Sequence, residues 1–234
     1  MRVNEKIALL APRVLLVPYS PHHVPTYHAW MQDPSLQQAT ASEPLTLEEE
    51  YAMQTSWRTD ADKLTFIVCM PPPSVPDHIT AEKDDAPQAM IGDVNMFLSA
   101  DDEEDGGKSD GLQALVGEIE IMIAEKKERG KGLGRDILVA FVWYIMNSHA
   151  IIMEEYRNGN GNGKMRSYLK MLRVKIYKDN VRSIKLFESI GFQKKGDEPN
   201  YFGELELRWI LDDDSRKDVE ARMTAIPKSL AYKS

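Results

Sequence analysis

The chain has 234 residues, with 37 acidic against 29 basic side chains and a formal net charge of −8 at pH 7. With no long basic stripe to offset it, that balance argues against nucleic acid as a partner, and the single cysteine excludes an intramolecular disulfide framework and suits a reducing compartment. The start Met1-Arg-Val-Asn-Glu-Lys6 lacks a signal-peptide pattern and the longest apolar run, Ile137 to Met146, is too short to cross a bilayer, so one large α/β domain, cytoplasmic and without membrane contact, is expected.

In chain order, Arg13-Val-Leu-Leu-Val17 reads as a first strand stopped by Pro18. Ser20-Pro21 then supplies N-cap and first-turn proline for a helix through about Met31. Thr46-Leu-Glu-Glu49 is a capping box for a second helix carrying Tyr51, Met53 and Trp57. Strands follow at about 64–70, 90–98 and 114–124, then a helix at about 132–149. The remainder predicts a strand at 171–177, a helix at 180–190 and two strands near 192–196 and 202–210. Cys69 falls in the apolar strand Leu64-Thr-Phe-Ile-Val-Cys-Met70 and reads as a buried structural thiol.

Three insertions interrupt this order, near 71–89, 100–112 and 157–166. The first is rich in proline and acid, the second is acidic with glycines, and the third contains Asn158-Gly-Asn-Gly-Asn-Gly163. None carries enough apolar residues for a core, so all three are expected as surface loops. Residues 211–234 are expected as a charged tail bearing a surface helix. The five histidines (22, 23, 28, 78 and 149) show no ligand spacing, so no metal is expected; His22, His23 and His28 are expected on a solvated helix face.

The most informative segment is Arg129-Gly-Lys-Gly-Leu-Gly134, set between the strand-like Val116–Ile123 and the helix-like Ile137–Tyr144. A strand that runs into a glycine-rich turn opening a helix gathers backbone N–H groups on one spot, with roughly half a positive charge from the helix dipole. Arg129, Lys131 and Arg135 add charged donors, each worth about 1.5–3 kcal/mol if partly desolvated. A P-loop would need Gly-Lys-Ser/Thr, and Gly134 is followed by Arg135. A dinucleotide fingerprint would need a third glycine three residues after the second, in the first βα unit. On its own the run is equally a plain helix-start turn.

A second segment, Met171-Leu-Arg-Val-Lys-Ile-Tyr-Lys-Asp-Asn-Val-Arg-Ser-Ile-Lys-Leu-Phe-Glu-Ser-Ile-Gly-Phe192, narrows the choice. Leu172, Val174 and Ile176 alternate as in a strand; Asp179 or Asn180 can cap a helix whose stripe is Ile184, Phe187 and Ile190, ended by Gly191. Together the segments resemble the GNAT superfamily of acyl-CoA-dependent N-acetyltransferases. Arg129, Gly132 and Gly134 match its first signature; Asn180, Ser183, Leu186, Phe187, Gly191 and Phe192 match its second. The likeness runs from residue 8 to 210. Within the superfamily the chain is similar to the N-acetyltransferase 9 branch, through Leu16–Tyr19, Thr40–Glu48, Glu50–Gln54 and Gly117–Glu125.

The resemblance implies an α/β (α+β) GNAT fold, a mixed and mostly antiparallel sheet of about seven strands with helices on both faces. It implies acetyl-CoA as co-substrate. Pantetheine would be held by the main chain of Met122, Ile123 and Ala124, and pyrophosphate by Arg129, Gly130, Lys131, Gly132, Leu133, Gly134 and Arg135. Asn180, Ser183 and Phe187 would lie along the pantetheine arm, although N-capping explains Asn180 and an ordinary core position explains Phe187 as well. Glu43 and Tyr51 would border the acceptor groove.

The reaction so implied is direct attack of a neutral amine on a thioester. Neutralising an α-amine of pKa about 8 costs about 1 kcal/mol at pH 7, a lysine of about 10.4 costs about 4.6. A positioned base therefore matters more for lysine. Strand periodicity puts Glu118, Glu120 and Met122 on one face and Ile119, Ile121 and Ile123 on the other. Unpaired carboxylates there must line a wet cleft or meet cations. Glu118 ranks first as base because its position matches a base glutamate of histone-type members; Glu120 follows, and a structural role for both stays open. Phe187 stands where many members have a tyrosine that can protonate the leaving thiolate. Either the thiolate, with a thiol pKa near about 8.5, leaves unassisted, or Tyr177 or Tyr201 substitutes, or turnover is slow. The expected function is acetyl transfer to an amine of a protein or peptide, N-terminal ahead of lysine. Two others stay open: a GNAT-fold binding module with a cytoskeletal or other macromolecular partner, and acetylation of a small polyamine or antibiotic.

Overall fold

The computed structural model describes residues 1–101, 112–159, 166–212 and 214–233. Alternation of apolar side chains builds the central strands: β1 (Ile7–Leu10), β2 (Leu15–Pro18), β3 (Lys63–Cys69), β4 (His78–Thr80), β5 (Met90–Ala100), β6 (Leu112–Ile123), β7 (Arg166–Tyr177), β8 (Gln193–Lys194), β9 (Glu204–Ile210) and β10 (Lys228–Lys233). They form one mixed sheet in the order β4-β10-β1-β2-β3-β5-β6-β7-β9-β8. The seven expected strands are present. The additions, β1, β4 and β10, all lie at the edge beyond β2.

Helices α1 (Val24–Met31), α2 (Pro34–Thr40) and α3 (Leu47–Thr59) cover one face, over a core that includes Val17, Tyr19, Tyr27, Ile67 and Met122. Helices α4 (Leu133–Asn147), α5 (His149–Gly159), α6 (Val181–Ile190) and α7 (Ser215–Ala221) cover the other. The expected capping box at α3 is present: the Thr46 amide donates to Glu49 Oε2 at 2.8 Å and the Glu49 amide to Thr46 Oγ1. Phe66 of β3 packs edge to face against Phe141 and Tyr144 of α4; each fully buried aromatic contributes about 1.5–3 kcal/mol. No single helix among the described residues is long and apolar enough to cross a membrane.

Two expectations need correction. The segment 71–89 is not only a surface loop, because β4 within it buries Ile79 and pairs in parallel with β10. The segment after Leu211, expected as a tail outside the domain, folds back: α7 packs on α4, and Ile7–Leu10 of β1 pairs antiparallel with Lys228–Ala231 of β10. Residues 102–111 and 160–165, the middles of the other two insertions, lie outside the described residues.

Candidate active site

Strands β6 and β7 run parallel and stay paired only from Leu112 opposite Arg166 to Glu118 opposite Arg173, with a register shift at Leu115/Val116. Beyond that point they part. Ile119–Ile123 continue to pair with β5, and Val174–Tyr177 continue to pair with β9. The result is a wedge with Glu118 and Arg173 at its apex. Main-chain groups along the inner edges of a wedge have lost their ladder partners, and an extended polar chain can restore them.

The glycine-rich turn sits at the open end of β6. Gly130 and Gly132 have φ of 82° and 81°, left-handed values that side chains resist. Gly132 caps α4 with no side-chain hydrogen bond, so the first amides of a 15-residue helix face outward without a protein cap. A Cβ on Gly134 would lie 2.9 Å from Leu186 Cδ2, so that glycine admits α6 against α4.

The charged residues of the turn divide. Arg129 ties the turn to the strand: Nε donates to the Ile123 carbonyl at 2.7 Å and Nη2 to the Ala124 carbonyl at 2.9 Å. Lys131 pairs with Glu128 at 2.9 Å. Arg135 points away, donating to Ser189 and to the Arg222 carbonyl. Two arginines that sequence reasoning missed stand over the turn instead. A Cβ on Gly132 would lie 3.6 Å from Arg13 Nη1, and one on Gly130 3.3 Å from Arg182 Nη2. Arg13 also donates to the Lys131 carbonyl and pairs with Asp136 at 3.1 Å.

Of the main-chain groups expected along the arm, several are engaged. The Ile123 and Ala124 carbonyls accept from Arg129, the Ala124 amide donates to Ile91 at 2.8 Å, and the Met122 carbonyl faces Gly92 so closely that a Cβ there would be 1.9 Å away. Asn180 caps α6, its Oδ1 accepting from the Ser183 amide at 3.2 Å. Phe187 is a core residue, edge-on to Phe192 at 5.1 Å. Tyr177 and Tyr201 are exposed at the β7 end and in the β8–β9 connection, and Glu43 and Tyr51 are exposed beside the entry to α3.

The two glutamates differ sharply. Glu118 Oε2 lies 2.8 Å from Arg173 Nη2 and 3.2 Å from Lys175 Nζ. Glu120 has no ion pair among the described residues, and it is open to the cleft although its flanks are walled by protein. That partial loss of water, with the Glu118 charge as second cause, raises its pKa above the ordinary glutamate value, and Lys175 opposes the rise only partly. Asn95 on β5 stands opposite Glu120, with Asp93 two residues away on the same face. Neither was singled out from the sequence.

The histidine expectation is corrected. His23 is fully buried, its Nδ1 accepts from the Ser20 amide, and its Nε2 donates to Asp85 Oδ2 at 3.0 Å. His22 Nε2 lies 3.1 Å from the same oxygen and Tyr232 Oη 2.6 Å from it. These ligating atoms are close enough together to surround a cation. The Ser20 bond, however, leaves His23 Nδ1 no room for a proton, so Nε2 must carry it and cannot ligate as neutral imidazole. The arrangement is a hydrogen-bond hub that joins the start of α1 to the β4–β10 edge.

A family model for the acetyltransferase (GNAT) domain matches residues 13–193. A Schizosaccharomyces pombe "N-acetyltransferase 9-like protein" is 40% identical over 227 residues, 88% of this chain and 97% of that protein. The Homo sapiens "Alpha/beta-tubulin-N-acetyltransferase 9" is 39% identical over 222 residues, covering 92% and 93%, and the Drosophila melanogaster protein of the same name is 40% identical over 193 residues, covering 82% and 81%. Among solved structures, an aminoglycoside acetyltransferase in complex with coenzyme A superposes with a TM-score of 0.54 at 16% identity, over 89% of this chain and 98% of that one. A spermidine N-acetyltransferase from Vibrio cholerae, solved with CoA and spermine, gives 0.54 at 15%, over 88% and 96%. These two share the fold.

Proposed function

The chain belongs to the GNAT acetyltransferase family and transfers acetyl groups to an amine, and from that premise we propose that it takes them from acetyl-CoA, held in the β6–β7 wedge, to the N-terminal α-amine of a protein. The observation that carries the proposal is the wedge opening beside a positive-φ glycine turn at the start of α4. The residues fit such a co-substrate. Uncapped amides at Gly132–Gly134 would receive the pyrophosphate, with Arg13 and Arg182 closing over it. The edge of β6 between Ile119 and Ile123 would accept the pantetheine amides, as a strand accepts its neighbour.

Bound acetyl-CoA supplies the activated acetyl group. Glu120 would take the proton from the acceptor ammonium, directly or through a water, so that the nitrogen lone pair is free to attack. Its raised pKa and lack of a counter-ion favour it over Glu118, whose carboxylate is already shared by Arg173 and Lys175. Glu118 would fix those cations at the wedge apex. Phe187 has no proton to give, so the thiolate would leave unassisted, which its ordinary pKa of about 8.5 permits. The names of the human and fly relatives support a protein acceptor and make tubulin N-termini the first to try. A reducing, cytoplasmic setting fits the buried Cys69, whose thiol burial holds protonated.

Titration calorimetry tests the cofactor half. Micromolar binding of acetyl-CoA is expected, with loss of binding in Gly132→Glu, which fills the turn with side chain and negative charge. Protein that ignores both CoA and acetyl-CoA would sink the proposal.

A further inference from the structure

Behind Glu120, β5 carries a buried polar pair. Asn95 is opposite Glu120 in the antiparallel register and Asp93 is one diagonal step away, on the same face. Asn95 Nδ2 donates to Asp93 Oδ2 at 2.7 Å. Asp93 is 2% and Asn95 3% exposed, and Asp93 Oδ1 and Asn95 Oδ1 find no hydrogen-bond partner among the described residues. The residues beside Asp93 across the sheet, Ile67 and Met122, offer no side-chain donor. A buried carboxyl with an unsatisfied oxygen costs stability that an apolar residue would not. The other titratable groups directed at this spot are Tyr19, Tyr27 on α1, Glu50 on α3, Glu118 and Lys175; His28 acts in turn on Glu50.

We propose that Asp93 and Glu120 work as one carboxyl pair on a shared sheet face, with Asn95 bonded to Asp93 and opposite Glu120, in which Asp93 is the positioning residue that keeps Glu120 able to take a proton from an α-ammonium group. The inference rests on Glu120 being the base. A carboxylate at a neighbouring position of the same sheet face disfavours a second charge there, so buried Asp93 holds its proton more firmly while Glu120 is ionised. Burial, and then the Glu120 charge, push Asp93 up to about 7, against the opposing Asn95 bond. In the step itself, the N–H proton passes to the fully ionised pair and the nitrogen lone pair forms the C–N bond. The C–S bond breaks, its electrons leave on sulfur as thiolate, and the second N–H proton, shed as the amide forms, passes to that thiolate or to water. A glutamate whose pKa is raised above its ordinary value lies closer to an α-ammonium, pKa about 8, than to lysine at about 10.4. That match favours an α-amine acceptor over lysine.

The test is the pH profile of kcat/KM for a peptide with a free N-terminus, in the native enzyme and in Asp93→Asn, which keeps size and removes charge. We expect the acidic limb of the native enzyme to lie above the ordinary glutamate range. In D93N the limb should fall at least one pH unit and the plateau about tenfold, with acetyl-CoA affinity unchanged. An unmoved limb, with only a changed Tm, overturns the proposal. Independently of turnover, carboxyl carbon NMR should show Asp93 titrating near neutrality and moving down in Glu120→Gln. An ordinary aspartate titration there would refute the pair even if acetyl transfer is real, whereas absent transfer with the expected NMR titration would fault the proposed function alone.

Discussion

Glu118 and Arg173 face each other at the last paired position of β6 and β7, joined by two contacts from the guanidinium, 2.9 Å from Nε and 2.8 Å from Nη2 to one carboxylate oxygen. The pair closes the apex of the wedge, and it takes Glu118 out of competition for a substrate proton. Glu120→Gln should therefore lower kcat by about 10²–10⁴-fold, the usual share of general-base catalysis, with acetyl-CoA affinity unchanged. Glu118→Gln should cost less than about tenfold, because Arg173 and Lys175 keep the site's charge in place. Steady-state kinetics on both variants decide the order; a larger loss in E118Q would restore Glu118 as base.

Arg13 and Arg182 supply the long-range part of the anion site. Both are exposed, so Arg13→Ala and Arg182→Ala should each weaken acetyl-CoA binding only about three- to tenfold, and should flatten its dependence on salt. Calorimetry at two ionic strengths reads both effects. Unchanged affinity in both variants would place the pyrophosphate elsewhere.

Asp85 accepts from Tyr232 and His23 and from the Glu82 amide, and His22 crowds the same oxygen. Burial alone would raise its pKa, but the bonds from His22, His23 and Tyr232 outweigh it and hold the carboxyl far below the ordinary value. Asp85→Asn puts an amide donor against donors, so a loss of about 3–5 kcal/mol in urea unfolding is expected at pH 7. A depressed carboxyl stabilises the fold above its unfolded pKa of 3.8 and stops doing so as pH falls. The gap between native protein and D85N should accordingly be full at neutral pH and close below about pH 4. A gap that widens in acid would contradict the hub.

Asp93 has the opposite sign. Its folded pKa is raised from 3.8 to about 7, so its contribution is fully present below 3.8 and is lost as pH rises toward 7. The difference amounts to roughly 4 kcal/mol. Asp93→Asn should gain stability relative to the native protein across pH 4 to 8, as followed by urea midpoints. A pH-independent difference would mean that Asp93 stays ionised in the fold.

What was legible in the sequence was local. The Thr46–Glu49 capping box, the Gly130–Gly134 turn and the alternation in β6 and β7 each declare themselves within a dozen residues, and their elements stand where expected except that β7 begins at Arg166 rather than near Met171. Edge strands β1, β4 and β10 did not, because strands of three to six residues gain their order from pairing; Ala231 lies opposite His78 across most of the chain. Helix α5 was hidden by a bend of 73° after α4. The site divided in the same way. Glu118 and Glu120 were visible as two acids on one strand face, but the cation that distinguishes them lies 55 residues on. His23 meets Asp85 across 62 residues, and Arg13 reaches Lys131 across 118. No periodicity encodes such meetings.

The most direct test of acetyl transfer to a protein N-terminus is thiol release from acetyl-CoA in the presence of matched peptides with free or blocked N-termini. The account predicts release well above background with free N-termini, and none with blocked ones even when a lysine is present. Release that depends on lysine alone, or background rates with every acceptor despite tight cofactor binding, would contradict it.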